Sequence, residues 1–221
     1  MDSNMQWLYQ PSLLSLQTGV LTMFLHLVFG IAIAYYLSGK RTLLKSIVDI
    51  VVTIPIVFPP IALGLFLLLI FGKNGFFGGA LSSFGIEVIF TTTGVFIASF
   101  IAGLPLVVKP IQSAIDEQSK IYAQASYTLG KGKIYTLIYV ILPNIKKVIL
   151  ASLFLGFGRS LGEVGITLML GGNIIGKTDT ISLAIYNYSF GGELDKAIIL
   201  SLILALVSTG LFFVLRRIAY L

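Results

Sequence analysis

The chain is 221 residues long, 57% hydrophobic and 11% charged, with a net charge of +6 and a mean hydropathy of +0.98. Soluble domains carry about 25% charged residues because their surfaces face water, so this composition excludes a soluble globular protein and a disordered chain. The absence of Cys excludes a disulfide-stapled secreted domain. What remains is an all-α integral membrane protein, read as a single transmembrane domain over residues 1–221 with about five spans.

A spanning helix needs roughly 20 mostly apolar residues. Residues 3–39 carry no Asp, Glu, Lys or Arg, and the first span is placed at 14–38. Its His26 reads as a satisfied core histidine before a proton relay. Only Asp2 precedes the run, with no basic residue, and the run is too long for a cleaved signal peptide. The second span, 50–71, holds Pro55, Pro59 and Pro60. Each proline removes a backbone donor and bends the helix. Carbonyls freed in this way are tolerated against protein or water, not lipid. The three prolines are therefore expected on an inward face, toward a pathway or a second copy, or in a kink needed only for packing. The third span is 88–108.

Residues 109–147 form the one long connection. Within 111–129, Ile111, Ala114, Ile115, Ile121, Ala125 and Leu129 follow a roughly helical spacing. Gly130 stops that helix, and Lys131 and Lys133 suit its C-terminal end. The apolar run 134–145, containing Pro143, is too short to span and reads as an interfacial or re-entering helix. The expectation is a small-residue helix held below the membrane, where Ala125 and Ser126 permit close approach of another protein's groove. From these residues alone, an amphipathic helix resting on the bilayer is the alternative.

The fourth span, 148–170, contains Arg159 and Glu163. An unpaired Arg at mid-depth costs roughly 2.5–3.5 kcal/mol, and a Glu at i+4 can pair with it on one face. The pair is expected either to face a polar pathway and set a gate, or to fix packing. Gly156, Gly158, Gly162 and Gly165 allow close helix packing. Residues 171–178, GGNIIGKT, match the phosphate-binding pattern G-x-x-x-x-G-K-[ST] by letter. That loop works only between a strand and a helix, with a downstream acid ordering Mg²⁺, so a turn between helix ends is expected instead. Asn187-Tyr188-Ser189 is a glycosylation sequon by letter and reads as chance. The fifth span is 197–215. One His, no Cys and no clustered carboxylates leave nothing from which to assemble a catalytic or metal site. Neither an enzyme nor a cofactor is expected.

Lys40, Arg41, Lys45, Lys109, Lys120, Lys131, Lys133, Lys146, Lys147, Arg216 and Arg217 fall on one side of these spans, against Lys73, Lys177 and Lys196 on the other. The positive-inside rule then places the N-terminus outside and the C-terminus in the cytoplasm. It accounts for the basic balance without nucleic acid. No inverted repeat is evident, and five spans divide badly into halves, which weighs against a secondary transporter.

The stretch Ala123-Gln124-Ala125-Ser126-Tyr127-Thr128-Leu129-Gly130, then nine residues, then Val140-Ile141-Leu142-Pro143, resembles the EAA loop of ABC importer permeases, with Ser126 for the second Ala, Val140 for Ile and no acid near Ala123. Residues 157–185, FGRSLGEVGITLMLGGNIIGKTDTISLAI, and 53–64, TIPIVFPPIALG, resemble segments of the molybdate-type members in the same order. The resemblance implies the type I ABC importer permease fold in a prokaryotic plasma or inner membrane. It implies a homodimer surrounded by lipid, two ATPase subunits and an extracytoplasmic oxyanion-binding protein. Coupling to the ATPase would fall to Ala123, Gln124, Ala125, Ser126, Leu129, Gly130, Leu142 and Pro143. The expected function is the permease subunit for molybdate, with tungstate or sulfate/thiosulfate as the alternative cargo. A stand-alone ion-coupled secondary transporter is the reading from a different class.

Overall fold

A computed structural model describes residues 5–220, which form helices and connecting turns with no strand among them. Asp2 lies outside the described residues. The first helix, α1 (Gln6–Leu37), contains one π turn at His26–Gly30. It ends at Ser38, whose Oγ donates to the Tyr35 carbonyl at 2.7 Å, and at Gly39, whose φ of +78° is left-handed. The Gly39 N–H then donates to the Asp116 carboxylate at 2.7 Å, tying this turn to the basic end of the molecule. Thr42 caps α2 (Leu43–Val57) by accepting the Lys45 N–H at 3.3 Å.

The second span is two helices. Phe58 and Pro59 are extended, at ψ 142° and 128°, because each precedes a proline and the helical region is disfavoured there. Pro60 then opens α3 (Pro60–Phe71), where its fixed φ is pre-set for a first turn and its missing N–H costs nothing. Pro55 lies inside α2 and does not end it. A short α4 (Gly78–Ser83) follows at the end opposite the basic residues.

The third span departs from expectation. Thr91 caps α5 (Thr92–Thr128), a continuous helix of 37 residues, so the small-residue segment below the membrane is the far end of the span-three helix and not a separate loop helix. Lys109 and Pro110 mark a charge and a missing donor, but neither ends the helix. Lys109 is ion-paired with Asp49 of α2, which neutralises it. The helix closes at Gly130, φ +72°, with the Lys131 N–H donating to the Ser126 carbonyl and the Gly130 N–H to the Tyr127 carbonyl. This 6→1 and 5→2 pair is the glycine-dependent C-terminal motif that the sequence predicts.

An elbow, α6 (Lys133–Asn144), contains a π turn at Leu137–Ile141 and bends 76° into α7 (Lys146–Leu161). The fourth span is also broken: α7 stops at Gly162 and α8 (Gly165–Gly171) restarts beyond Glu163-Val164. Among the described residues, three helices (Gln6–Leu37, Thr92–Thr128 and Leu194–Arg217) are individually long and apolar enough to cross a membrane. The other two expected spans are assembled from pieces. The segment after α8 is more than an outer turn, because it carries α9 (Ile181–Phe190), which packs on α10 (Leu194–Tyr220) and α1.

Two backbones cross closely at the centre. A Cβ on Gly103 of α5 would sit 2.9 Å from the Gly156 carbonyl oxygen, and one on Gly156 of α7 would sit 2.6 Å from Val107. Lipid tails are as apolar as these side chains, so close van der Waals contact rather than burial from water holds such a crossing. Ala34, Leu37, Val107, Ile111, Ile141, Ile145 and Leu153 form the core at the basic end. Leu63, Ala98, Ile166 and Leu170 form the core at the other end.

Candidate functional site

The two breaks meet. A Cβ on Gly165, the first residue of α8, would lie 2.7 Å from the Pro60 Cβ and 2.9 Å from the Ile61 nitrogen. One turn on, a Cβ on Gly64 would lie 2.9 Å from the Met169 Cβ and 3.0 Å from the Ile166 Cα. Helices α3 and α8 therefore start side by side, and each start carries the partial positive charge of a helix N-terminus. Glu163 serves the α8 start: its Oε1 accepts the Ile166 N–H at 2.7 Å. Its Oε2 lies 2.6 Å from Arg159 NH1, with the Glu163 side chain 1% exposed and Arg159 31%. The two are therefore in contact as their i, i+4 spacing allows, but Glu163 lies past the end of α7, in the break itself. The α3 start has no side-chain cap, and the N–H groups of Ile61 and Ala62 find no partner among the described residues. Pro59 and Pro60 are exposed in the single chain, and Pro55 is half-buried.

The helix behind the break is locked to its neighbours by polar bonds. Ser160 Oγ of α7 donates to the Ser99 carbonyl of α5 at 2.9 Å, and Ser182 Oγ of α9 donates to the Leu161 carbonyl at 2.7 Å. The Ile181 N–H donates to Ser15 Oγ of α1 at 2.8 Å. His26 is fully buried, bonds the Phe100 carbonyl through Nε2 at 2.9 Å and stacks on the Phe100 ring. It is a core histidine satisfied at one nitrogen only, because the buried Nδ1 has no hydrogen-bond partner among the described residues. Of the small-residue face, Gly156 and Gly165 make the close approaches, whereas Gly158 and Gly162 do not meet another helix within 3.4 Å.

At the other end of α5, the coupling candidates divide into two groups. Gln124, Ala125, Leu129, Gly130 and Pro143 are exposed, while Ala123 and Leu142 are half-buried. Ser126 is buried within the chain, where its hydroxyl lies 2.7 Å from Thr136 Oγ1 of α6. It clips the helix end to the elbow, while Ala125 beside it is exposed. Hydroxyl pairs ten residues apart carry no periodic signal, which is why the sequence does not reveal this contact.

The loop that matches the phosphate-binding pattern follows a helix, where a nucleotide cradle follows a strand. Its own side chains take its donors: Ile174 N–H to Thr178 Oγ1 and Gly176 N–H to Asp179 Oδ1. Burial pushes the Asp179 carboxyl above the usual carboxylate range, and the N–H groups around it, including Gly176 and Lys177, pull the other way. Asn173, at φ +50°, and Asn187 exchange two amide hydrogen bonds of 2.6 and 2.9 Å, which closes the loop onto α9 and engages the sequon asparagine.

Comparison with known proteins gives the family of the chain. Residues 26–221 match the model of the family described as "binding-protein-dependent transport system inner membrane component". The chain is 44% identical over 177 residues to the probable transport system permease protein NifC of Clostridium pasteurianum, covering 80% of this chain and 62% of that one. It is 37% identical over 207 residues to the molybdenum transport system permease protein ModB of Haemophilus influenzae, covering 90% of each. It is also 34% identical over 159 residues to the sulfate transport system permease protein CysT of Escherichia coli K12, covering 72% of this chain and 57% of that one. The chain thus belongs to the binding-protein-dependent transport system inner membrane component family and has its type I ABC importer permease fold.

Proposed function

We propose that this chain is the membrane-spanning permease subunit of an ABC importer for molybdate. It works as a homodimer with two ATPase subunits and an extracytoplasmic oxyanion-binding protein. The similarity to ModB over 90% of both chains favours molybdate, and the similarity to CysT keeps sulfate as the alternative cargo. The basic end is cytoplasmic by the positive-inside rule.

One observation carries the mechanical part of the reading: α5 is unbroken from the turn at Gly130 to the crossing at Gly103. A displacement of the exposed coupling end by an ATPase would reach Ser99 and Ser160 through a continuous helix, and from there the Arg159–Glu163 break. The paired helix starts at Pro60 and Gly165 suit an anion path that has backbone dipoles and no net fixed charge. Weak binding of this kind lets a dianion leave. The chain performs no covalent step; ATP hydrolysis belongs to the partner subunits.

Proteoliposomes test the division of labour. With the ATPase and the binding protein present, ATP should drive molybdate accumulation; without them it should not. Accumulation against a gradient by this chain alone, driven by a proton or sodium gradient, would refute the proposal and favour an ion-coupled transporter.

A further inference from the structure

The elbow α6 has an exposed face whose chemistry is unlike that of a span or of a water-facing helix. Ile134, Tyr135, Ile138 and Tyr139 are all exposed on it, with Ile134 at 70% and Tyr139 at 66%. The Tyr135 and Tyr139 rings lie 4.7 Å apart. Lysines bracket the face: Lys131 and Lys133 at its start, Lys146 and Lys147 just past its end, with no acidic residue between 131 and 147. Lys131 Nζ sits 4.8 Å from the centre of the Tyr135 ring, and none of the four makes an ion pair among the described residues.

The elbow's buried side, continued by Ile145, packs at the basic end of the molecule. Ile141 and Ile145 are buried in the same core as Leu37, the last residue of α1. The elbow therefore packs into the core that also holds the end of the first span, and its 76° turn takes it away from the direction of α7. An apolar face flanked by tyrosines and cations at that end matches the interfacial zone of a bilayer, where aromatic rings sit at headgroup level and lysines reach anionic phosphates.

We infer that α6 is a docking face for anionic phospholipid of the leaflet on the basic side, and that this lipid holds the elbow against the membrane. Through the Ser126–Thr136 clip the same lipid contact steadies the end of α5 that carries Gly130. The inference goes beyond the transport reading and holds for this chain whatever its cargo.

The test uses the full chain in nanodiscs of phosphatidylcholine doped with equal mole fractions of photoactivatable phosphatidylglycerol or phosphatidylcholine, with crosslinks mapped by mass spectrometry. Residues 131–147 should crosslink preferentially to phosphatidylglycerol. The preference should fall roughly five-fold for each lysine replaced by glutamine, and high salt should erase it in the unaltered chain, which controls for misfolded variants. Equal yields from the two lipids, or a preference indifferent to salt and to the lysines, would overturn the inference. So would crosslinks at 131–147 that disappear when the ATPase subunits are added, since the face would then belong to them.

Discussion

Replacing Glu163 by Gln separates a packing role from a transport role for the buried ion pair. At 2.6 Å, with an effective dielectric of about 20, the Coulomb attraction is about 6 kcal/mol. Much of that offsets the cost of removing both groups from water. The Gln side chain keeps an acceptor for the Ile166 N–H, so the α8 start stays capped. Arg159 loses its counter-charge, but it is 31% exposed and can rehydrate in part. The net loss is then about 2–4 kcal/mol, below the 3–5 kcal/mol typical of a fully buried pair. For a chain of this size that lowers the melting temperature of the detergent-purified protein by roughly 5–15 °C. Arg159→Gln should cost a similar amount, because it strands the 1%-exposed carboxylate. The double variant should recover most of the stability, since two neutral groups share the site. Uptake then decides between the roles: recovered stability with uptake still lost assigns the charges to the transport cycle, and recovery of both assigns them to packing. If each single variant melts with the unaltered protein, the pair contributes nothing and the reasoning fails.

Three other substitutions probe the elements that the site depends on. Gly130→Asn should retain ATPase association and uptake while Gly130→Val loses them with membrane insertion intact. The φ of +72° tolerates Asn, a β-branched residue is strained there by about 1–2 kcal/mol or more, and no neighbour lies within 4 Å to confuse strain with a clash; co-purification of the ATPase reads the difference. Gly165→Ala should destabilise by about 1–3 kcal/mol in thermal melts, because the added Cβ meets Pro60 Cβ at 2.7 Å and the Ile61 nitrogen at 2.9 Å, and backbone cannot swing away as a side chain can. Thr136→Val should leave the buried Ser126 hydroxyl without its partner at a cost of about 1–2 kcal/mol and reduce uptake, while adding Ser126→Ala restores much of the stability.

Three long apolar helices, the stop at Gly130 and the Arg159–Glu163 pair were legible in the sequence because each has a local signature: length of apolar run, a glycine followed by lysines, opposite charges at i, i+4. The continuity of α5 was not. Lys109 and Pro110 look like a boundary, and only the pairing of Lys109 with Asp49, sixty residues away, shows why the charge is tolerated mid-helix. The prolines of span two pointed to a break, but the sequence did not single out Pro59-Pro60 over Pro55. The reason is that two successive residues preceding prolines are pushed out of the helical region at Phe58 and Pro59, whereas Pro55 removes a single donor. The folding-back of α9 was hidden because its anchors, Ser15 and Leu161, are remote in sequence and chemically ordinary.

The breaks themselves constrain what surrounds them. Interrupted helices inside a membrane need partners for the backbone groups they free. At the α7–α8–α9 junctions the chain supplies some of these, with Glu163 for the Ile166 N–H, Ser182 for the Leu161 carbonyl and Ser15 for the Ile181 N–H, while the Gly165 and Thr167 N–H groups have no partner among the described residues. At the α3 start there is none among the described residues, and the N–H groups of Ile61 and Ala62 stand beside exposed Pro59 and Pro60. Lipid on that face would leave two donors in hydrocarbon at several kcal/mol each. Water in a pathway, or polar groups of a second copy, would satisfy them. The meeting point of the α3 and α8 starts is thus a place where a solitary protomer in lipid lacks partners for its backbone. It is also where a path formed between two protomers would have its first positive potential for an anion.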